Sequence, residues 1–253
     1  MFGKLWSLVM NMKYVIIAVI AVAIVIIGIV VVLQMHPSLN ELLARTSNNT
    51  YTASYSYYIY YNILNQNSTE NGILTYSQKG TTDRYIFVIS SSYPQMGAYM
   101  VTAKLSNGTT IFCTAGPTSA GCSPINQTFN LVSLMLPIIN YSKFTYAGTQ
   151  KLLGYNAYCY ISRNSTTLGS IMPIAIEAGL GSLPINIIGE VCMTQDGIPL
   201  LIELSMYGSS NINGQQITIN MTQVLQATSV QDGTYLISNA TSLLNKLGIN
   251  ATG

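Results

Sequence analysis

An uninterrupted apolar run near the N-terminus, YVIIAVIAVAIVIIGIVVVL, limits what the first part of the chain is able to form. It extends from Tyr14 to Leu33 and contains no charged residue. About 20 apolar residues is the length of one helix that crosses a bilayer. In lipid the backbone groups of such a run are satisfied only within a helix. We therefore predict a transmembrane helix over residues 14–33.

The charges beside this run predict its orientation. Lys4 and Lys13 precede it and a polar chain follows, so the positive-inside rule assigns residues 1–13 to the cytoplasm. Residues 34–49 are then a juxtamembrane segment, residues 50–238 an extracytoplasmic domain, and residues 239–253 a C-terminal tail. A cleaved signal peptide is the alternative. We favour an uncleaved anchor because the run is longer than a usual signal core and the following VVLQMHPSLNELL lacks a small-x-small cleavage pattern. The chain is thus predicted to be a single-pass cell-membrane protein.

The sequence is poor in charged residues. They make up 7% of the chain, against about a quarter in an average soluble protein. After residue 36 there are eight basic and eight acidic residues, so this part is formally neutral. A neutral domain without a basic patch is not expected to bind nucleic acid.

Asparagine sequons are frequent in the predicted outer domain. Glycans attached to them would supply the hydration that charges do not. An alternative is that Asn and Thr simply replace charge, for example in an acidic medium where carboxylates are protonated. The candidate glycosylation sites are Asn48, Asn67, Asn107, Asn126, Asn140, Asn164, Asn220, Asn239 and Asn250.

The four cysteines all follow the apolar run, in the predicted oxidising compartment. Four cysteines allow three disulfide connectivities. We favour Cys113–Cys122, which flank the turn-rich TAGPTSAG, together with Cys159–Cys192. A metal site is the competing interpretation. It is disfavoured because no CxxC spacing exists and because the only histidine, His36, lies beside the apolar run.

Most of the outer domain shows a two-residue periodicity, which is typical of half-buried antiparallel strands. In PLLIELSMY one face carries Leu200, Ile202, Leu204 and Met206. In TASYSYYIYYNI, Tyr55, Tyr57, Ile59 and Tyr61 share one face and Tyr58 and Tyr60 the other. We interpret the latter as a first strand with tyrosines on the core, with a ligand platform as the alternative. Strands are predicted over 50–62, 72–79, 83–91, 97–106, 109–115, 143–150, 155–163, 188–195, 198–208 and 215–228.

Turns and helices interrupt the strands. QDGI, Gln195 to Ile198, predicts an Asp-Gly hairpin, because both central residues are able to take positive φ. Pro37 to Arg45 is predicted as a short helix. Gln127 to Asn140 has helical spacing with Thr128 as a possible N-cap. The apolar segment Thr167 to Ile185, with Glu177 as its only charge, is either a helix or a hydrophobic loop. We expect these segments to cover the concave side of a curved antiparallel sheet, in a mainly β (α+β) fold.

This layout resembles the lipoprotein-carrier half-barrel, a family of periplasmic lipoprotein carriers and mycobacterial surface lipoproteins. The similar segments are GYNAYCYI, from Gly154, and the hairpin closing on DGIPL, Asp196 to Leu200. The resemblance implies a hydrophobic concavity that holds acyl chains or a lipidated partner. The chain departs from the family by its predicted anchor, its disulfides and its few charges. A tethered chain does not shuttle freely, so a static lipid-binding or structural role is expected.

Catalytic chemistry has little support in the sequence. A Ser, Thr or Cys nucleophile needs an activating base, and His36 is badly placed for one. Glu190, Asp196 and Glu203 are expected to be surface and turn residues, and no phosphate loop or dinucleotide motif is present. We therefore expect no catalytic residues, no cofactor and no metal.

The leading hypothesis is a membrane-anchored binder of a lipid or another hydrophobic partner, in a cavity lined by Leu200, Ile202, Leu204 and Met206. The alternatives are a structural envelope or filament subunit joined by strand addition, and an accessory subunit of a membrane complex. An envelope protein is a possible partner in these cases.

Overall fold

The computed structural model describes residues 36–63, 66–80, 83–90, 98–104, 107–115, 120–126, 130–177, 179–212, 214–236 and 245. The chain divides into two compact units, Met1–Ser38 and Leu39–Gly253. Within the described ranges, no helix is both long and apolar enough to cross a membrane. The predicted segments 1–13 and 14–33 lie outside the described residues, as does the tail 239–253 apart from residue 245.

The second unit is built on an open, curved antiparallel sheet of eleven strands. The strands are β1 (Thr50–Ile63), β2 (Gln66–Lys79), β3 (Asp83–Ser90), β4 (Ala98–Lys104), β5 (Thr110–Ala115), β6 (Ala120–Ile125), β7 (Thr145–Leu152), β8 (Tyr155–Thr167), β9 (Pro184–Met193), β10 (Pro199–Ile212) and β11 (Gln215–Asp232). Their order across the sheet is β6-β5-β4-β3-β2-β1-β11-β10-β9-β8-β7. The predicted mainly antiparallel β fold is therefore confirmed.

Two meanders meet at the centre of this sheet. Strands β1–β6 and β7–β11 each run in hairpin order, and the first strand pairs with the last from Tyr51 opposite Asp232 to Ile63 opposite Ile219. One register shift between Ser54 and Tyr55 interrupts that pairing. Strands β6 and β7 form the two edges.

One face of the sheet carries the main core, and we call it the covered face. Four central strands contribute Tyr57, Leu225, Ile202 and Val191, which are opposite one another in successive strand pairs. All four side chains are buried. Complete burial of an apolar side chain of this size contributes about 1.5–3 kcal/mol. The opposite side is called the outer face, and it exposes residues such as Tyr58, Ile73 and Tyr207.

Helix α1, Leu39–Asn48, closes one end of the covered face. Leu39 and Leu42 are buried in the core. Arg45 Nη1 donates a hydrogen bond to the Gln195 carbonyl oxygen at 2.8 Å, and Thr46 Oγ1 donates to the carbonyl of Gly197. The helix predicted over Pro37 to Arg45 is confirmed as a helix, and it extends three residues beyond Arg45.

The segment between β6 and β7 covers the middle of this face. Helix α2, Leu131–Met135, has Asn130 as its N-cap, with a reciprocal capping box to Ser133. A 3-10 turn, Tyr141–Lys143, follows. A Cβ atom on Gly189 of β9 would lie 3.2 Å from Phe144 Cζ, so the covering segment approaches the strand closely. The observed helix, Leu131–Met135, is shorter than the one predicted over Gln127 to Asn140. The predicted N-cap, Thr128, lies outside the described residues.

The apolar segment after β8 is neither a long helix nor a simple loop. It forms two single turns, α3 (Leu168–Ile171) and α4 (Ile174–Glu177). The Leu168 and Gly169 amides donate to the carbonyls of Leu183 and Gly181, at 2.8 and 3.0 Å. Between these two pairs of hydrogen-bonded residues the segment exposes Met172, Ile174 and Ile176, at 43%, 70% and 63% of their surfaces.

The Asp-Gly hairpin is confirmed, and only one of its two central residues takes positive φ. Gly197 has φ of 83° and Asp196 does not have positive φ. The Gly197 amide donates to the Thr194 carbonyl and the Thr194 amide to the Ile198 carbonyl. Of the two central residues, only Gly197 has a left-handed backbone conformation. Gly197 lies beneath α1.

Candidate functional site: a small apolar pocket on the covered face

A pocket of about 180 Å³ opens on the covered face between β2, β1 and β11. Its lining residues are Tyr57, Ile59, Glu70, Leu74, Met135, Gln223 and Leu225. Tyr57, Leu74 and Leu225 are at most 7% exposed. The volume is similar to that of engineered apolar cavities of about 150 Å³ that bind benzene. The pocket therefore has room for one apolar group of about that size.

Strand register explains how the lining residues come together. Ile59 of β1 lies opposite Glu70 of β2 on one side and Gln223 of β11 on the other. Tyr57 is two residues from Ile59 and therefore shares its face. Helix α2 places Met135 over the same site, where Gln223 Nε2 lies 3.2 Å from Met135 Sδ.

The pocket has a few polar groups among its apolar walls. The Tyr57 hydroxyl donates a hydrogen bond to Glu70 Oε1 at 3.3 Å. Glu70 is half-buried, and among the described residues that line the pocket it is the one that carries a charge. Apolar walls with a few placed polar groups are the usual composition of a small-molecule site.

The four residues predicted to line a cavity occupy a different place. Leu200, Ile202, Leu204 and Met206 all face the covered side, but they are only 1–6% exposed and belong to the packed core. None of them lines the pocket. Alternation indicates which side chains share a face and not which of them the connecting segments cover, so these four side chains share the face of the pocket without lining it.

The aromatic strand β1 combines core and surface tyrosines. Tyr51, Tyr55 and Tyr57 are buried at 0%, 0% and 7% exposure, whereas Tyr58 is 42% exposed on the outer face. The Tyr55 hydroxyl donates to the Pro199 carbonyl at 2.9 Å. Burial raises the pKa of Tyr55 well above its ordinary value of 10.0, with a further contribution from Tyr76. The interpretation of this stretch as a strand with tyrosines on the core is confirmed.

Two disulfides each join neighbouring strands. Cys113 and Cys122 are opposite each other in β5 and β6, with a Cα–Cα distance of 4.1 Å. Cys159 and Cys192 are opposite each other in β8 and β9, with a distance of 4.0 Å. These are the pairs favoured from the sequence.

The outer face brings two carboxylates together. Glu190 of β9 lies directly opposite Glu203 of β10. Partial burial and the neighbouring Glu203 raise the pKa of Glu190 above its ordinary value of 4.5. Among the described residues, one group has three possible metal ligands close together, namely Cys159, Glu190 and Cys192. Both sulfur atoms belong to the disulfide, so they do not offer the thiolates that a metal would need.

The described sequon asparagines lie mainly at the surface. Asn220 is exposed on the outer face opposite Asn62, and Asn62 is opposite Asn67 on its other side. Asn164 differs because it is half-buried and its Oδ1 accepts a hydrogen bond from Lys143 Nζ at 3.4 Å. Asn48, Asn67, Asn107, Asn126 and Asn140 are exposed, whereas Asn239 and Asn250 lie outside the described residues.

No protein-family model matches the sequence, and no curated protein matches it. Similar solved structures include a putative outer membrane lipoprotein-sorting protein domain from Vibrio parahaemolyticus, at 10% identity over 83% of this chain and 97% of that one, with a TM-score of 0.33. A LolA superfamily protein from Nitrosomonas europaea is 7% identical over 80% and 97% of the two chains, with a TM-score of 0.32. A DUF1329 family protein from Desulfovibrio piger is 8% identical over 78% and 90%, with a TM-score of 0.30. A lipoprotein-sorting domain is thus among the solved structures to which this chain is similar.

Proposed function

We propose that this chain is a non-catalytic, membrane-anchored extracytoplasmic protein that binds a lipid or another hydrophobic ligand on the concave side of its sheet. The observation that carries the proposal is the pocket of about 180 Å³ between β1, β2 and β11. Apolar Ile59, Leu74 and Leu225 supply its walls, and α2 covers it with Met135. A methionine suits this position because its flexible, polarizable side chain adapts to different apolar ligands.

The size of the pocket limits how a lipid would bind. A volume near that of a benzene-binding cavity holds the end or a branch of an acyl chain and not its full length. The rest of the ligand would lie along the neighbouring part of the covered face, where Tyr61 is 41% exposed. We therefore propose static capture of part of a lipid, in an anchored and glycosylated protein.

The sheet edges oppose the alternative of a filament joined by strand addition. Edge strand β6 is six residues long and contains Pro124, which lacks an amide donor. Edge strand β7 has a register shift beside Gly148 and carries Lys151. Short strands, bulges, proline and lysine are features by which sheet edges avoid pairing with other chains.

Native mass spectrometry of the full chain purified from its own host tests the proposal, together with analysis of an organic extract of the same sample. We expect a stoichiometric adduct of lipid size that extraction removes. A matched pair of variants tests where this adduct binds. Ile59→Trp places a larger side chain in the pocket, whereas Ile73→Trp makes the same change on the outer face. Loss of the adduct in Ile59→Trp alone supports the pocket, and a chain that carries only glycan mass refutes hydrophobic binding.

A further inference from the structure

The outer face of the sheet has a buried patch on β4 and β5. Val101 and Cys113 lie opposite each other in these strands and are both 0% exposed. Ala103 and Ile111, the opposed pair two residues further along, are each 7% exposed. We call these four residues the outer patch. On the same face Ile73 of β2 is 56% exposed, so the sheet alone does not bury its side chains and something must lie over the outer patch.

The outer patch is separate from the main core. Its four side chains are not part of the core cluster on the covered face, whereas Met100, which alternates with Val101 along β4, packs against that cluster. Among the described elements, the helices make their main contacts with one another, with the 3-10 turn and with β8 and β10. The described helices therefore do not account for the burial of the outer patch.

The chain that leaves β11 runs onto the outer face and toward this patch. The Thr52 hydroxyl of β1 donates to the Thr234 carbonyl at 2.9 Å, and the Leu236 amide donates to Ser77 Oγ of β2 at 3.0 Å. Thr52 and Ser77 are opposite each other, and the same row of the sheet continues through β3 to Val101 of β4. Two residues therefore carry the chain one strand across the sheet, in the direction of the outer patch.

The residues that follow have the pattern of a short amphipathic helix. Ala240, Leu243 and Leu247 have the spacing i, i+3, i+7 of one helix face. Asn245 is helical and exposed, and at about 100° per residue it lies on the side of a helix opposite Leu243 and Leu247. A helix over residues 240–248 would be about 13 Å long, and the three strand spacings from β2 to β5 span about 14 Å. The segment is therefore long enough to cross the outer patch.

We infer that the C-terminal segment, residues 237–253, docks on the outer patch, with Leu243 and Leu247 of an amphipathic helix packed against Val101 and Cys113. The inference goes beyond the proposed function and does not depend on it, because the pocket opens on the covered face. A helix of about nine residues is not stable in water by itself. The segment therefore becomes helical only because it docks, and in docking it removes an apolar surface from contact with other molecules.

Hydrogen–deuterium exchange of the full chain, read out by mass spectrometry, tests the docking. We expect peptides from residues 240–248 to exchange about tenfold or more slowly than an unstructured peptide of the same sequence. Leu243→Asp should restore the unstructured rate, because docking would bury an unpaired charge. Asn245→Asp adds the same charge on the exposed side and should leave exchange slow. Slow exchange of β11 in both variants shows that the domain remains folded.

A second pair of variants tests the sheet side of the contact. Val101→Ala removes two methyl groups from the outer patch and should speed the exchange of residues 240–248 by up to about tenfold. Met100→Ala truncates a larger side chain on the covered face of the same strand and should leave the exchange of this segment unchanged.

Four results would each refute the inference. Residues 240–248 exchange freely in the unmodified chain, or Leu243→Asp and Asn245→Asp have equal effects. Val101→Ala leaves their exchange unchanged, which would mean that the segment docks elsewhere. Slow exchange disappears on dilution, which would mean that the segment docks on a second copy of the chain. None of these results bears on hydrophobic binding, which native mass spectrometry tests separately.

Discussion

Replacing Gly197 by alanine should separate α1 from the sheet, and the structure gives the size of the effect. Gly197 has φ of 83°, and an added Cβ would lie 2.6 Å from the Thr46 backbone nitrogen and closer still to the Leu42 carbonyl oxygen. Both atoms belong to the α1 backbone and have no rotamer that moves them away. A left-handed conformation costs an L-residue roughly 1–2 kcal/mol, and overpacking costs roughly 1–3 kcal/mol more. We therefore expect Gly197→Ala to lower the free energy of unfolding by about 2–5 kcal/mol.

Gly154→Ala provides a matched control. Gly154 also has φ of 83°, but an added Cβ there would meet no atom within 4 Å. This variant should therefore incur only the conformational cost of roughly 1–2 kcal/mol.

Near-UV circular dichroism of the buried tyrosines reports thermal unfolding of both variants. For a domain of this size each kcal/mol lowers Tm by about 2–4 °C. Gly197→Ala should therefore unfold at least a few degrees below Gly154→Ala. Equal Tm losses in the two variants would refute the packing of α1 on the turn that contains Gly197.

Three further predictions concern single side chains. The raised pKa of Glu190 means that its carboxyl group binds a proton more tightly in the folded chain than in the unfolded chain. The free energy of unfolding should therefore fall as pH rises from about 4.5 through the pKa of the folded chain. Glu190→Gln should flatten this part of a stability-against-pH curve measured by urea unfolding, and an unchanged slope would contradict the assignment. Glycopeptide mass spectrometry of host-derived protein should find a glycan on exposed Asn220 and little or none on half-buried Asn164, and the reverse occupancy would show that exposure does not control modification. Tyr55→Phe removes the buried hydrogen bond to the Pro199 carbonyl and should lower the free energy of unfolding by about 1 kcal/mol. An unchanged free energy of unfolding would indicate that water replaces the hydroxyl.

Local patterns explain why much of the sheet was predictable. The alternation in β10 places Ile202 and Leu204 on the covered face, as its period requires. The sequence pattern does not indicate strand β6, because AGCSPI contains Gly121 and Pro124 and has little strand propensity. Its pairing with β5, which includes the Cys113–Cys122 bond, holds it in the sheet.

The pocket depends on contacts that no local pattern contains. Its walls come from β1, β2 and β11, and its cover comes from Met135 in a helix of five residues. A helix this short is stabilised by tertiary packing and not by propensity, so no local pattern places it over Ile59. The aromatic spacing of β1 was nevertheless a usable signal, because it assigns Tyr57 and Ile59 to the same face.

The pairing of the first strand with the last has a consequence for the order of folding. During synthesis β1 emerges early, and its central partner β11 emerges only after all the other strands. Contacts of such long sequence separation form slowly. Each meander contains one disulfide between neighbouring strands, Cys113–Cys122 or Cys159–Cys192, so oxidation is able to cross-link each half before the two halves join. During this interval the edge of β1 that later pairs with β11 is unpaired and rich in tyrosine, and an unpaired strand edge of this kind favours misassembly of the nascent domain.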